Sequence, residues 1–477
     1  MVKAAELSAG YCPGRRSEED YCVFPVGASN RIMNRTARFS SWMAKVSGLL
    51  ASLTARNAAS SFLALAWLSL LSIVTIPVYI RLLGVSEWGL VAACASLQIL
   101  SNFIDAGFSQ IVPRWAAQEA QNPERLRQHV NLFRRLYLGL GLAMFGVLQA
   151  SADYLAHHWF QVPPGRGDAL ELAIRIVSFQ LLFQFVNNLH IGLWHGLQRQ
   201  VLANVRACGF GTMKHVAALL ALIVGAQQAW VYALAFACVA GAEVLFNAIS
   251  LQRMLGRSST SAMDQEVTLG PMLKEVSVLS GGILVGLLVS QLDRIILSRT
   301  VDVTSFGIYT VVATLALAFL QLQTPVTRAY FPVIVRDIQS YGQVSAAHLK
   351  RLLGGTLLTA TLPALLACAF APQLLDLWLH DSIVVSVATM PLRLLLLAIA
   401  LNTLSGCIYL IIVAHKQSRK ILYFNSIALL LTTAMIFLIE LSANLMLGGL
   451  IWLANTITQT TLGFFWLRAL IKKKPLN

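Results

Sequence analysis

From about residue 55 to residue 468 the chain is a succession of long apolar runs separated by short polar turns. A helix that crosses a bilayer needs about 20 mainly apolar residues. Twelve stretches meet that requirement: 55–80, 87–112, 133–156, 169–194, 204–226, 228–250, 275–298, 304–330, 350–372, 387–413, 421–441 and 444–468. Lipid offers no hydrogen-bond partners, so backbone N–H and C=O groups must be satisfied within each span, and helices do this. A transmembrane barrel would instead show alternating segments of roughly 10 residues, and none appear. Only 12% of residues are charged and mean hydropathy is +0.68, as an all-α integral membrane protein requires.

The formal charge of +15 is distributed unevenly. The turn after the second run carries Arg114, Arg125, Arg127, Arg134 and Arg135, and that after the fourth carries Arg199, Arg206 and Lys214. Later turns on the same side hold Arg253, Arg257, Lys274, Arg328, Arg336, Lys350, Arg351, Lys416, Arg419 and Lys420, and the C-terminal end holds Arg468 and Lys472 to Lys474. The opposite turns carry Arg81, Arg166 and Arg299. Basic residues mark cytoplasmic loops, so both termini are expected in the cytoplasm, and the charge calls for no nucleic-acid partner.

The chain repeats itself. PVYIRLLGVSEWGLVAA (77–93) has the design of SQLDRIILSRTVDVTSFGIYTVV (290–312). A shift of 218 takes Arg81 to Arg299, Val85 to Val303, Trp88 to Phe306, Gly89 to Gly307 and Arg175 to Arg393. A shift of 219 takes Pro113, expected to end the second span, to Pro332, expected to end the eighth, and takes Trp159 to Trp378. A fixed-period repeat implies related structural units. With six spans per half, the halves share one orientation and are related by an axis along the membrane normal. The expected organisation is a cytoplasmic, disordered tail over 1–50, a first lobe over 51–255 and a linker over 256–274. A second lobe follows over 275–468, then a basic tail over 469–477.

The seven cysteines lie singly and without CxxC spacing, which offers neither a metal site nor a disulfide framework. No phosphate-cradling GxxxxGK[ST] loop, HExxH or GxSxG occurs. The turns leave no room for a catalytic domain, so no enzyme and no cofactor are expected.

Charges inside apolar runs are the informative residues, because each costs about 2.5–3.5 kcal/mol at mid-helix. Arg294 lies roughly one turn inside the end of the seventh span, and Arg175 and Arg393 lie at similar depth in the fourth and tenth. If all three face inward they form a cationic chamber for phosphate, which guanidinium binds bidentately; otherwise each snorkels to the headgroups or pairs with an acid. Lys214 is a further headgroup candidate. Asp293, Glu243 and Asp105 are candidates for proton or sodium coupling, with hydrogen-bonded pairing as the competing reading. Asp293 and Arg294 project about 100° apart on one helix and are not expected to pair with each other.

The hairpins PVYIRLLGVSEWGLVAACASLQILSNFIDAGFSQ and DRIILSRTVDVTSFGIYTVVATLALAFLQLQTPVTRAYFP resemble the polysaccharide transporter family. These are the Wzx-type flippases of the multidrug/oligosaccharidyl-lipid/polysaccharide exporter superfamily. The resemblance runs from about residue 50 to the end, and Asp293-Arg294 fall on the Asp-Arg of the family's seventh-span motif. It implies a MATE-like arrangement of two six-helix lobes around a cavity that faces each side alternately. The implied cargo is a polyprenyl-pyrophosphate-linked oligosaccharide, moved to the outer leaflet of a bacterial inner membrane for O-antigen, lipopolysaccharide or exopolysaccharide synthesis. Ion coupling, membrane lipids and polymerase or export partners are implied with it. The diphosphate needs cationic partners, and the sugars need a polar lining such as Gln180, Gln184, Asn187, Asn188 and Asn402. An exporter of cationic drugs on the same scaffold is the alternative, although the intramembrane excess here is basic. A membrane polysaccharide polymerase would need a long outer loop that is not present.

Overall fold

The computed structural model describes residues 53–105, 107–256, 269–438 and 444–473. The tail expected over 1–50, most of the linker expected over 256–274 and residues 474–477 lie outside that range. Each expected span is met by a helix. Among the described residues, nine helices are long and apolar enough to cross a membrane.

The first half opens with α1 (Leu53–Ser96), which carries the first span and the start of the second through one sharp turn at Gly84. Gly84 has φ 80° and ψ 160°, a conformation open to glycine and strained for other residues. Short helices α2 (Gln98–Ile104) and α3 (Phe108–Gln118) complete the second span. The long α4 (Pro123–Tyr154) starts where the Asn122 side chain accepts the Arg125 N–H, and it runs into a π-helical turn at Leu155–Trp159. Then come α5 (Gly167–Gly196), α6 (Gln200–Val224) and α7 (Ala229–Leu255).

The second half repeats the plan with α8 (Leu269–Thr300), α9 (Val303–Gln321) and α10 (Thr324–Tyr341). Its next span is α11 (Ala346–Thr356), a π-helical turn at Leu357–Thr361, and α12 (Leu362–Ala369). A short α13 (Ala371–Leu379) precedes α14 (Ser382–Ala414), α15 (Ser418–Leu438) and α16 (Met446–Lys473). Helices pack mainly within their own half: α5 against α4 and α7, and α14 against α9 and α16.

Pro113 and Pro332 do not end the second and eighth spans as expected; each lies inside a helix, α3 and α10. The preceding helices end upstream instead, α2 at Ile104 and α9 at Gln321. Neighbouring helices and polar side chains can satisfy the carbonyl that a membrane proline leaves free.

The halves meet on the side whose turns are poor in basic residues. A Cβ on Gly307 would lie 2.8 Å from the Gly89 Cα, and one on Gly89 would lie 2.4 Å from the Val303 carbonyl oxygen. Beside this crossing, Trp159 donates its indole N–H to Ser298 Oγ at 3.1 Å. Its repeat mate Trp378 donates to the Ile73 carbonyl at 2.8 Å. Each tryptophan therefore reaches into the first span of the opposite half.

Candidate substrate cavity

Directly within this crossing, between the halves, lies a cavity of about 350 Å³. Its first-half wall includes Thr75, Tyr79, Trp88, Gln180, His215, Tyr232 and Phe236; Arg294, Thr310 and Thr314 come from the second half. Among the lining residues none is acidic, and Arg294 carries the permanent charge. The size falls in the range of small-ligand sites, roughly 300–1,000 Å³.

Arg294 is placed by helix geometry. On α8 its neighbour Asp293 is 1% exposed, and its carboxylate accepts the Tyr309 hydroxyl at 2.5 Å. The two side chains form no ion pair, as their angular separation implied. Asp293 thus joins α8 to α9, while Arg294, only half-buried, is left facing space. Arg294 also borders two smaller cavities of about 280 and 190 Å³, the second of which Asp293 lines as well, so it stands at a junction of the hollow region.

The wall contributed by the first half is aromatic. Tyr79 stacks on Trp88 with centroids 6.0 Å apart and meets Tyr232 edge-on at 5.0 Å. Tyr232 stacks on Phe236 at 4.4 Å. The His215 Nδ1 lies 3.0 Å from the Tyr79 hydroxyl and 3.1 Å from the Thr75 hydroxyl, which locks the ring into the wall. The buried Trp88 indole N–H has no partner among the described residues, so this wall holds an unused donor. A buried donor without a partner costs about 1–3 kcal/mol.

The remaining charged candidates lie elsewhere. Arg175 is exposed, with Nη2 2.6 Å and Nε 2.9 Å from Glu171 Oε1 one turn earlier on α5. Arg393 is half-buried on α14, outside the cavity lining, and its carbonyl accepts the Cys368 thiol. The three-arginine chamber therefore does not form here: helix azimuth turns Arg175 to the surface, where an acid partners it. Lys214 and Glu243 are spent on each other at 2.7 Å, inside the first half. Asn187 donates to Glu243 at 2.9 Å and accepts from Asn247, which in turn accepts from Arg206. Asp105 accepts from the Tyr137 hydroxyl at 2.9 Å and from Asn188 at 3.1 Å.

Of the expected sugar-lining residues, Gln180 faces the cavity, whereas Gln184, Asn187, Asn188 and Asn402 are not among its lining. The aromatic wall went unread in the sequence. Its signals were present: Tyr79 and Trp88 sit within the repeated hairpin itself, and Tyr232 and Phe236 stand one helical turn apart.

The family described as polysaccharide biosynthesis protein matches residues 54–337, more than half of the chain. No curated protein sequence matches. Among solved structures, the fold is similar to the lipid II flippase MurJ in an inward closed conformation. That match has a TM-score of 0.65 and 13% identity and covers 87% of each chain. It is also similar to an inward-facing multidrug resistance MATE family transporter of the MOP superfamily, with TM-score 0.56, 17% identity, and coverage of 88% of this chain and 96% of that one. A third likeness is to a mutant form of the Vibrio cholerae MATE transporter VcmN, with TM-score 0.57, 13% identity, and coverage of 90% and 99%. At these identities the structures establish the fold, and the family match establishes kinship: the chain belongs to the polysaccharide biosynthesis protein family, built on the fold of the MOP-superfamily transporters.

Proposed function

We propose that the protein is a flippase that carries a polyprenyl-pyrophosphate-linked oligosaccharide across the membrane by alternating access. The observation that carries this reading is Arg294, a guanidinium set in a cavity without lining acids and facing an aromatic wall. Guanidinium suits a diphosphate, aromatic faces suit the apolar faces of sugar rings, and the lipid tail stays in the bilayer. The positive-inside pattern orients the closed crossing at Gly89 and Gly307 toward the outside, so the cavity described here is shut on that side. Cargo loads from the cytoplasmic leaflet of a bacterial inner membrane and leaves for polymerase or export partners. Asp293, Glu243 and Asp105 are the carboxylates through which a proton or sodium gradient would act.

MATE-type relatives raise the alternative of a cationic drug, but such cargo would meet Arg294 with no acid in the cavity lining to balance it. The deciding experiment reconstitutes the protein into liposomes and follows a fluorescent polyprenyl-pyrophosphate oligosaccharide between leaflets, with and without an ion gradient. Protein-dependent movement that Arg294→Ala abolishes supports the proposal. Gradient-driven release of a cationic dye, with no lipid movement, replaces it with the drug exporter.

A further inference from the structure

On the basic-poor side, three potential ligand atoms converge from two helices. Asp153 and His157 stand one turn apart where α4 passes into its π-helical turn, and Glu171 projects from the first turns of α5. Their ligating atoms all lie within 4.8 Å of one another. His157 Nδ1 is 3.1 Å from Asp153 Oδ1, and the opposite nitrogen, Nε2, is 3.2 Å from Asp168 Oδ1. The start of α5 closes over the imidazole so tightly that a Cβ on Gly167 would sit 2.3 Å from Nε2.

We propose that Asp153, His157 and Glu171 form a site for a borderline divalent cation, of which Zn²⁺ is the representative. One imidazole and two carboxylates are a donor set that Zn²⁺ accepts, with water completing the tetrahedron. The nitrogen excludes Mg²⁺ and Ca²⁺, which take oxygen ligands, and the lack of thiolate excludes soft Cu(I). At bond lengths of about 2.1 Å the ligands of a tetrahedral ion stand roughly 3.4 Å apart, within reach of small side-chain rotations from the observed cluster. With Nδ1 given to the ion in place of its 3.2 Å contact with the Asp153 carbonyl oxygen, Asp168 would take the far imidazole N–H, as carboxylates around such metals do. Arg175 is the competitor: it contacts Glu171 through Oε1, leaving Oε2 for the ion, but its positive charge opposes the cation.

The location gives the ion a consequence. The same π-helical turn continues into His158 and Trp159, whose carbonyls accept from Arg299, and Trp159 donates to Ser298. An ion that ties the end of α4 to the start of α5 stiffens the element by which the first half grips α8. Zn²⁺ thereby holds this side closed.

The test is equilibrium binding of Zn²⁺, and Co²⁺ absorption, to the tag-free full-length protein in detergent. The expected result is one site whose affinity falls at least tenfold in His157→Ala and Asp153→Asn. It should be unchanged in His158→Ala, the adjacent exposed histidine, and tighter in Arg175→Gln. Zn²⁺ should also slow thiol labelling of Thr314→Cys, placed in the cavity wall of a cysteine-free background, and His157→Ala should remove that slowing. Absence of the Co²⁺ ligand-field bands, or binding indifferent to His157, overturns the site and leaves the imidazole as a partner of Asp153 and Asp168. Labelling indifferent to Zn²⁺, with binding intact, overturns the coupling to closure.

Discussion

Gly89 and Gly307 occupy equivalent places in the two halves, 218 residues apart, and their backbones touch. Only hydrogen at both positions lets the starts of the second and eighth spans cross at backbone distance, since a Cβ on either would meet backbone atoms at 2.8 Å or less. The contact lies beside the cavity, whose lining includes Trp88 and Thr310.

Gly89→Leu and Gly307→Leu are accordingly expected to disfavour the closed crossing. In a cysteine-free background, Thr314→Cys should be labelled several-fold faster by a membrane-impermeant maleimide applied from the basic-poor side. Unchanged labelling in both variants would show that the halves close by some other contact.

Trp88→Phe keeps the ring in the aromatic wall but removes the indole donor that lacks a partner among the described residues. If that donor meets the cargo, one hydrogen bond of about 1.5 kcal/mol is lost. The apparent affinity for a lipid-linked oligosaccharide should then fall about tenfold at unchanged membrane abundance. Equal affinity in the two proteins would assign Trp88 to packing alone.

Lys214 and Glu243 form a largely buried pair, their side chains 14% and 9% exposed. Removing one partner strands the other charge, at a cost of about 3–5 kcal/mol. Lys214→Met and Glu243→Leu should each lower the unfolding temperature in detergent markedly, while the double variant recovers most of the loss. Additive losses would mean that the two groups are not coupled.

Arg175→Gln removes an exposed pair between residues one turn apart, worth about 0.3–0.5 kcal/mol. Flipping activity and unfolding temperature in metal-free buffer should match the unsubstituted protein, in contrast to Arg294→Ala. A loss as complete as that of Arg294→Ala would return Arg175 to the phosphate site.

Trp159→Phe and Trp378→Phe each delete one hydrogen bond between the halves while keeping an aromatic ring. Each should speed labelling of Thr314→Cys modestly, and the two together more than either alone. If neither changes the rate, the crossing at Gly89 and Gly307 suffices for closure.

The amino-acid sequence by itself determined the spans, their alternation in loop charge and the paired hairpins, and it singled out Arg294 as one candidate cation. These are properties of the string: apolar length measures bilayer crossing, and a charge within an apolar run is costly wherever the helix turns. The same one-dimensional reading put Arg175, Arg393 and Arg294 at one level but had no means to orient them. Azimuth is set by packing against helices distant in sequence, and packing sent Arg175 to Glu171 at the surface while leaving Arg294 in the cavity. The partners of Lys214, Asp105 and Asp293 were likewise decided in three dimensions, because a buried charge takes whichever complementary group the neighbouring helix presents. Asp153 and His157 could be seen as a pair one turn apart, yet Glu171 joins them only because α5 folds back along α4.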